Sequence, residues 1–439
     1  MAARSWDQLW SCRVPGIQIL RFIGRGLWVA LILLVHALVW LVGWLGLILA
    51  LRGKPARQAW FADRFATLLI ALGATFVKVG QIMSTRPDLL PPHTIRALTR
   101  LQDNVGAFAW RAVERTLREE LGQPIEALFA SFDPTPIASA SVAQVHRATL
   151  TSGEAVAVKV RRPGLDSIVR FDMSVMRLFA RLVALVPSWR LLAPVESVDQ
   201  FGRAIHAQLD LRLEAENNRR FTASFAGDSD ISFPTLFPAL CSRRVITMSF
   251  VEGCKVVDAP ARRGSNPTRL ARIGFRTLLK MVFADGFVHA DLHPGNILVD
   301  GDDKVVILDL GLTAELDEGS RRAFAQFFAG WAGGDGKVMA RLLAELSTRV
   351  PDYDAYEREV IAFVARYHGK ALGEVQVSKV AFDMFDILRR HRVRVNPTFT
   401  MCNVAIAVTE GIGKQLDPRL DLVQEAMPFF VELHREGRF

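Results

Sequence analysis

Residues 289–296 read HADLHPGN and are followed by the short apolar stretch ILV and the turn sequence DGDD. Asp291 and Asn296 stand five positions apart in this segment. An aspartate in such a loop can orient or deprotonate an acceptor hydroxyl or a water, and an asparagine five residues later can reach a metal ion that bridges phosphates. The segment therefore predicts phosphoryl-transfer chemistry, with Asp291 as the catalytic residue and Asn296 as a metal ligand.

A second apolar stretch, residues 305–308, leads directly into Asp309-Leu310-Gly311. The two segments match the H-x-D-x-x-x-x-N and D-F-G elements of protein-kinase catalytic cores, and their spacing is compatible with one hairpin between the two loops. Each acid alone could be a solvated turn residue or a helix cap. An aspartate that ends an apolar strand, next to the first motif, disfavours that interpretation, and we predict Asp309 as the second metal ligand.

Upstream, residues 155–160 read AVAVKV and alternate like a β-strand. They match the V-A-I-K element, whose lysine contacts the α- and β-phosphates of ATP and pairs with a glutamate on a helix. We predict Lys159 as the phosphate lysine and Glu214 as its partner. Glu216 is near enough in sequence that only helical phase can decide between the two glutamates.

The interval from Lys159 to Glu214 leaves room for an inserted helical segment at roughly residues 166–195. Within it, residues 176–186 read MRLFARLVALV, with apolar residues at helical spacing and arginines between them. Such a stripe is more often packed core, but it can also lie on a membrane surface. Both interpretations stay open on sequence alone.

Residues 27–51 form an uncharged apolar stretch framed by Arg25 and Arg52. About 25 apolar residues are enough for a helix to cross the ~30 Å hydrocarbon core of a bilayer. We therefore predict a transmembrane helix, against the alternatives of a buried core helix or a helix lying in the membrane plane. The basic residues 1–26 have no small-residue cleavage site after the apolar run, so we interpret them as retained.

Charge leaves the orientation of this helix undecided, because basic residues flank both of its ends. A nucleotide-binding domain needs nucleotide, so we expect a single-pass membrane protein whose residues after 52 face the cytoplasm. The four cysteines are widely spaced without a C-x-x-C pair, which predicts neither a disulfide framework nor a zinc site. A reducing compartment suits that pattern.

The formal net charge of +9 suits an anionic membrane surface, a polyphosphate ligand or a nucleic acid. The basic residues are scattered, and the sequence contains no zinc-finger spacing or RNA-recognition signature. Nucleic acid is therefore not an expected partner, whereas anionic membrane lipids are expected partners.

Two further segments carry a family resemblance. Residues 136–146 (PIASASVAQVH) precede the strand of Lys159, and residues 76–91 (FVKVGQIMSTRPDLLP), called here the signature segment, precede both. They resemble the alanine-rich nucleotide loop and the signature helix of the UbiB/AarF family of atypical protein-kinase-like proteins. The resemblance covers roughly residues 60–425. A loop with Cβ atoms cannot fold down on phosphate as a glycine loop does.

The resemblance implies an α+β, bilobal protein-kinase-like fold with an N-terminal helical extension. The N-terminal transmembrane helix predicted from the apolar stretch 27–51 precedes this fold and lies outside the resemblance. The extension with the signature segment is expected at 60–130. The smaller lobe, with the alanine-rich loop and the helical insert, is expected at 131–253, and a mainly helical larger lobe at 254–439.

The resemblance also implies ATP or ADP with Mg²⁺ as cofactors, and catalytic roles for Asp291, Lys159 and Glu214. It implies that the nucleotide-binding residues are Ala138, Ser139, Ala140, Ser141, Lys159, Phe250, Val251, Lys78 and Gln81. In the family the extension packs over the active site and excludes protein substrates. The implied activity is that of an ATPase or kinase-like factor in ubiquinone biosynthesis, with a quinone-precursor lipid or quinone-biosynthesis proteins as partners.

This sequence departs from the family pattern at Gln208, which stands where the family carries the first acid of Glu-x-Asp. Those acids engage the signature-segment lysine, Lys78 here, so the amide removes one charge beside it. Ser249 replaces a usual acid in the linker, where adenine contacts are mostly made by backbone. Beyond Gly311 no Ala-Pro-Glu-like element for docking a peptide follows.

Two other functions stay open at this stage. A small-molecule phosphotransferase of the aminoglycoside or choline kinase type has a similar catalytic loop, but the signature segment and the alanine-rich loop argue against it. A nucleotide-switched scaffold with little turnover is the other candidate, and Gln208 keeps it open.

Overall fold

The computed structural model of the protein describes residues 15–49, 53–101, 106–186, 194–367 and 377–435. The chain forms two compact units. Unit 1 consists of Met1–Ser84, Pro92–Glu216 and Thr235–Phe250, and unit 2 consists of Thr85–Pro91, Asn217–Pro234 and Val251–Phe439. Residues 1–14 of the predicted basic segment, residues 50–51 of the apolar stretch and residues 187–193 of the insert lie outside the described residues.

Helices dominate both ends of the described chain, and most of the strands lie between residues 129 and 315. In chain order the α-helices are α1 Pro15–Leu49, α2 Lys54–Leu72, α3 Ala74–Ser84, α4 Pro92–Thr99, α5 Trp110–Leu121, α6 Ile125–Leu128, α7 Leu165–Val183, α8 Pro194–Gln208, α9 Leu211–Ser224, α10 Ala259–Arg263, α11 Pro267–Leu279, α12 Glu318–Ala332, α13 Gly336–Glu345, α14 Tyr353–Tyr367, α15 Val377–Arg390, α16 Pro397–Leu416 and α17 Leu422–Arg435.

The strands are short, and most of them are antiparallel to their neighbours. In chain order they are β1 Phe129–Phe132, β2 Ala138–Ser139, β3 Ala143–Leu150, β4 Ala155–Arg161, β5 Ile231–Ser232, β6 Val245–Ser249, β7 Cys254–Lys255, β8 Phe287–His289, β9 Ile297–Val299, β10 Val305–Ile307, β11 Thr313–Glu315, β12 Ser347–Arg349 and β13 Arg394–Val395. In the first sheet the strand order is β1-β3-β4-β6, with β2 paired to β3. The second sheet has the order β5-β10-β9-β7, and two further strand pairs are β8 with β11 and β12 with β13.

Helix α1 contains one window, Ile23–Gly46, that is long and apolar enough to cross a membrane. Only 11% of this window is buried by the rest of the protein, whereas a core helix would be mostly covered. One stripe of α1 packs on α2, where Phe61 contacts the rings of Trp40 and Trp44. Gly43 permits the close approach of Trp60, because a Cβ at this position would overlap the Trp60 ring.

The sheet of unit 1 has one buried face that follows from the alternation of β4. Val156, Val158 and Val160 are fully buried and pack with Val113 and Leu117 of α5. Successive strand residues point to opposite faces, so the same alternation sends Lys159 to the other side of the sheet. The antiparallel register places Lys159 opposite Val145 on one side and Ile246 on the other.

Unit 2 is built on one large apolar core that collects residues from α11, from the strands β8 to β11 and from the later helices. Helix α11 continues into one π-helical turn, Lys280–Asp285, which ends at Gly286 with φ of 66°. A Cβ on Gly286 would lie 2.6 Å from the carbonyl oxygen of Leu316. Only glycine both adopts this positive φ readily and leaves room for the carbonyl oxygen. The tight turn leads directly into β8 and the loop after His289.

Candidate active site

Lys159 and Glu214 form a bidentate ion pair within unit 1. The Lys159 ammonium nitrogen Nζ lies 2.8 Å from Oε1 and 2.9 Å from Oε2 of Glu214. Both side chains are largely shielded from solvent, at 13% and 8% exposure. Of the two glutamates that the sequence left open, Glu214 is the one that reaches the lysine.

Helical phase explains this choice. Leu211 and Ala215, one turn apart on α9, are buried against Ile246 of β6. Ile246 and Lys159 are directly opposite in the antiparallel register, so they share one face of the sheet. Packing of α9 on that face brings Glu214 to the lysine. The pair is therefore built by the sheet register and one apolar helix contact.

The alanine-rich segment folds as a closed hairpin that leads into β3. The Ala140 N–H donates to the carbonyl of Ala143 at 2.8 Å, and Ala138 and Ser139 pair with β3. Ser141 is almost fully buried. The guanidinium of the buried Arg162 donates to the carbonyl of Ala140 at 3.4 Å, which places a positive charge under the segment. An anion would find that charge and the neighbouring backbone N–H groups favourable.

In unit 2, His289 fixes the backbone of the predicted catalytic loop. Its Nδ1 accepts a hydrogen bond from the Asp291 N–H at 3.0 Å, and its Nε2 lies 3.2 Å from the Leu308 carbonyl. A nitrogen that accepts on one side and faces a carbonyl on the other defines the neutral tautomer with the proton on Nε2. Burial lowers the pKa of His289, which agrees with this neutral form.

A second set of bonds ties the two motifs together through Asn296. The side-chain Nδ2 of Asn296 donates to the Asp291 carbonyl at 3.0 Å. The Leu308 N–H donates to the Asn296 carbonyl at 2.8 Å, next to Asp309 in sequence. Asp309 itself has a φ of 50°, a conformation that is unusual for a residue with a Cβ and is enriched at functional sites. One side-chain bond and one backbone bond thus bring Asp291, Asn296 and Asp309 into one local arrangement.

Asn217 is a site residue that the sequence reasoning did not single out. Its Nδ2 donates to the carbonyl of Leu310, the middle residue of Asp309-Leu310-Gly311, at 2.8 Å. The available signal was its position three residues after Glu214, which places both on one helical face. This bond anchors the backbone that follows Asp309, whereas a solvated turn would not need such an anchor.

The donor chemistry of these residues fits Mg²⁺. Asn296 uses its amide nitrogen within the loop, so its side-chain oxygen is the atom that can face a cation, and Asp309 supplies a carboxylate. Among the described residues, no group of three or more His, Cys, Asp or Glu side chains is placed to hold a metal. Mg²⁺ needs no such group, because it is typically bound by one or two carboxylates together with water and substrate phosphates.

The remaining predicted residues lie at several places. Lys78 and Gln81 are on α3, where Gln81 donates from Nε2 to the Leu101 carbonyl at 3.0 Å. Within the described part of the chain, Lys78 makes no hydrogen bond or ion pair. Phe250 ends the last segment of unit 1, with the Arg147 guanidinium 4.4 Å from its ring centroid, and Val251 begins the next segment of unit 2.

The segment in which Gln208 replaces a family acid has arginine partners at Asp210. Asp210 is bound by Arg212, at 2.6 and 2.9 Å, and approached by Arg243 at 4.0 Å. The hydrogen bonds from Arg212 lower the pKa of Asp210. The Nε2 atom of Gln208 is buried and has no hydrogen-bond partner among the described residues.

Comparison with known proteins agrees with this geometry. The ABC1 atypical kinase-like domain matches residues 100–343, and the UbiB helical domain matches residues 360–421. The "Probable protein kinase UbiB" of Aeromonas salmonicida is 36% identical over 369 residues, which are 82% of this chain and 68% of that protein. This chain belongs to the UbiB family of atypical kinase-like proteins. The family resemblance drawn from the alanine-rich and signature segments is confirmed.

Other UbiB proteins match over a similar length. Those of Tolumonas auensis and Vibrio cholerae are 35% and 34% identical over 83% and 86% of this chain, and over 69% and 71% of their own lengths. Among solved structures, the erythromycin complex of Rv3197 from Mycobacterium tuberculosis aligns with a TM-score of 0.55 and 24% identity. It covers 79% of this UbiB-family chain and 90% of that one. The predicted kinase-like α+β fold is confirmed.

Proposed function

We propose that this chain is a membrane-associated UbiB-family ATPase that binds ATP with Mg²⁺ and supports isoprenoid quinone biosynthesis, ubiquinone in particular. The observation that carries the proposal is the bidentate Lys159–Glu214 pair, together with the bonded arrangement of Asp291, Asn296 and Asp309. Kinase-type phosphoryl transfer relies on positioning and charge stabilisation by these residue types. The nucleotide-binding roles of Ala138, Ser139, Ala140, Ser141, Phe250, Val251, Lys78 and Gln81 belong to the same proposal.

Each residue then has a defined role. Lys159, oriented by Glu214, binds the α- and β-phosphates, and the buried positive charge of Arg162 favours an anion near the alanine-rich hairpin. Asn296 and Asp309 would hold Mg²⁺, which neutralises phosphate charge when bound. Asp291 orients the attacking hydroxyl or water, with its backbone fixed by His289.

The first test is magnesium-dependent ATP hydrolysis by the full chain in vesicles, with and without a phenolic quinone-precursor mimic. Asp309→Asn should abolish turnover, because the second metal ligand loses its charge. Asp302→Asn is the matched control, since Asp302 lies exposed in the nearby turn. Wild-type turnover equal to that of Asp309→Asn would contradict the ATPase, and stimulation by the mimic would support the quinone assignment.

We assign membrane association to α1 and propose that it crosses the bilayer once, with the kinase-like part in the cytoplasm. Its predominantly apolar window of 24 residues corresponds to about 36 Å of helix, enough for a hydrocarbon core of about 30 Å. Helix α2, which packs on α1, carries Asp63, whose exposed carboxylate pairs at 3.2 Å with Arg100, the residue after α4. These charges must stay out of hydrocarbon.

Protease digestion of sealed vesicles tests this arrangement. A tag placed before residue 15 should be protected when protease acts on the side of the kinase-like part. Digestion of the tag and of the kinase-like part from the same side would show instead that α1 lies in one leaflet.

A nucleotide-switched scaffold remains the second candidate, and Gln208 is the observation that favours it. A family acid is replaced by an amide whose Nε2 has no partner among the described residues. Nucleotide binding without turnover in wild type, with turnover gained in Gln208→Glu, would support the switch. Turnover in wild type that Gln208→Glu leaves unchanged would exclude it.

A further inference from the structure

Arg162 is a fully buried arginine on the apolar face of the unit 1 sheet. It directly follows β4, and the alternation that buries Val158 and Val160 sends its side chain to the same face. There the guanidinium lies 5.2 Å from the ring centroid of Phe108, which belongs to the same core cluster as these valines. Burying a guanidinium is costly unless hydrogen bonds satisfy it, so the bonds of Arg162 indicate its role.

These bonds join two separate segments of backbone. The Nη2 atom of Arg162 donates to the Gly106 carbonyl at 2.9 Å and to the Ala140 carbonyl at 3.4 Å. The backbone N–H of Arg162 donates to the Val142 carbonyl at 2.8 Å. Arg162 therefore holds the tip of the alanine-rich hairpin at two carbonyls and ties it to the segment that precedes α5.

That preceding segment is itself fixed to the apolar face of β3. The Phe108 N–H donates to Oε1 of the buried Gln144 at 3.0 Å, and Nε2 of Gln144 lies 2.8 Å from Nε2 of His146. Nδ1 of His146 lies 2.8 Å from the Asp133 carbonyl, so it carries the proton of a neutral ring. Burial lowers the pKa of His146, which agrees with the neutral form. A satisfied buried network of this kind is rigid, so it holds Arg162 in place.

The direction of the Ala140 carbonyl determines where the next N–H points. Among the described residues no peptide bond is cis, and a planar trans peptide places its C=O and its N–H on opposite sides. Arg162 binds the Ala140 carbonyl from the apolar face, so the N–H of Ser141 points to the opposite face. Lys159 lies on that opposite face. A backbone N–H and an ammonium group on one face are donors that suit a polyphosphate.

We propose that Arg162 is a positioning residue of the nucleotide site, which aims the Ser141 N–H at the phosphates of ATP by holding the Ala140 carbonyl. The alanine-rich segment carries Cβ atoms that restrict its backbone, so it cannot adjust to phosphate as a glycine loop does. A contact from the apolar face sets the orientation of this peptide before nucleotide binds. The inference rests on the proposed ATP binding, and the test below separates the two.

The experiment measures the Kd of a fluorescent ATP analogue with Mg²⁺ for the full chain in detergent. Arg162→Lys keeps the positive charge but lacks the planar fork of donors that an arginine presents. A second variant replaces Ser141 by its α-hydroxy acid, so that a backbone ester removes the N–H and keeps the side chain. Arg161→Lys is the matched control, because Arg161 is also buried but donates to the Leu209 carbonyl, at 2.5 Å.

Arg162→Lys and the ester should each raise the Kd about ten- to a hundredfold, the range expected for one hydrogen bond to a charged group. Together they should raise it little more than either does alone, because both remove the same contact. Arg161→Lys should lower the melting temperature without raising the Kd, since its guanidinium does not contact the hairpin.

A Kd that Arg162→Lys or the ester leaves unchanged overturns the proposal. A combined effect equal to the product of the two single effects also overturns it, because Arg162 would then act on affinity without the Ser141 N–H. An equal rise of the Kd in Arg161→Lys would assign the effect to general packing of the sheet. Absence of binding in the wild type overturns the proposed ATP site itself, and the role of Arg162 with it.

Discussion

Asn217 donates a hydrogen bond from its side-chain amide to the backbone carbonyl of Leu310, at 2.8 Å. Leu310 directly follows Asp309, whose backbone adopts the rare φ of 50°. A residue held in this conformation needs support from its surroundings. Asn217 supplies it from outside the loop, so it is a positioning residue for Asp309, the proposed metal ligand.

Asn217→Ala should raise the Mg²⁺ concentration needed for half-maximal ATP hydrolysis and lower turnover roughly ten- to a hundredfold, because misplaced catalytic groups lose rate steeply. Its effect on stability should be only about 1 kcal/mol, the usual contribution of one hydrogen bond. Asn218→Ala is the control, since Asn218 donates to the Pro234 carbonyl at 3.1 Å. An equal loss of Mg²⁺ affinity in both variants would show a general packing defect.

The Lys159–Glu214 pair should behave as one functional element. Lys159→Met and Glu214→Gln should each lower kcat/KM for ATP by about a hundredfold or more, through loss of charge and orientation at the phosphates. The double variant should be little worse than either single one, because residues that act as a unit are not additive. A double-variant effect equal to the product of the two single effects would show that they act independently.

Short motifs carry the local chemistry that the sequence predicts. The strand before Lys159 and the loop from Asp291 to Asn296 are contiguous segments in which spacing alone fixes which atoms can meet phosphate or metal. The α+β kinase-like fold followed from their order. The sequence could not choose between Glu214 and Glu216, because the choice depends on which face of α9 packs on the sheet. The contacts of Leu211 and Ala215 with Ile246 that decide it are tertiary.

Other features could not be predicted from the sequence, because they too depend on tertiary contacts. Asn217 acts on Leu310 across 93 residues. Its place three residues after Glu214 indicates a shared helical face but does not indicate Leu310 as the partner. The apolar stripe of α7 left both core packing and a membrane surface open, with core packing favoured, because periodicity shows that a face exists but not what covers it. The exposure of Leu182 and Leu185 decides against core packing for that face.

His289 should make stability depend on pH. Burial lowers the pKa of His289, so below its ordinary value near 6.5 the unfolded chain takes up a proton that the native state does not. Native stability is then complete above about pH 6.5 and falls by up to about 1.4 kcal/mol per pH unit as the pH drops toward the native pKa. The carboxylates of Asp291 and Asp309 oppose part of the pKa shift.

Melting temperatures of wild type and His289→Gln in the same detergent, from about pH 7.5 down to about pH 5, test this. The variant should melt lower at neutral pH, because the paired bonds to Asp291 and Leu308 are lost, yet decline less steeply on acidification. Parallel curves for the two proteins would mean that His289 does not titrate differently in the two states.

The ion pair of Arg25 with Asp172 should be costly to break on one side only. The Asp172 side chain is fully buried, and Arg25 also donates to the Leu72 carbonyl at 2.6 Å. Burial raises the pKa of Asp172 while the Arg25 guanidinium opposes the shift, so the carboxylate depends on that arginine for its charge. Removing one partner of a buried pair typically destabilises a protein by about 3–5 kcal/mol, because the other is left uncompensated.

Arg25→Met and Asp172→Leu should therefore each lower the melting temperature of the full chain in detergent more than the double variant Arg25→Met/Asp172→Leu does. Replacing both charges with apolar groups of similar size removes the desolvation penalty together with the attraction. Arg57→Met provides the control, because the Arg57 guanidinium contacts the Trp44 ring of the same helix without a carboxylate partner at that contact. If the double variant melts as low as the sum of the two single effects predicts, the pair stabilises α1 against α7 by net attraction rather than by mutual charge compensation.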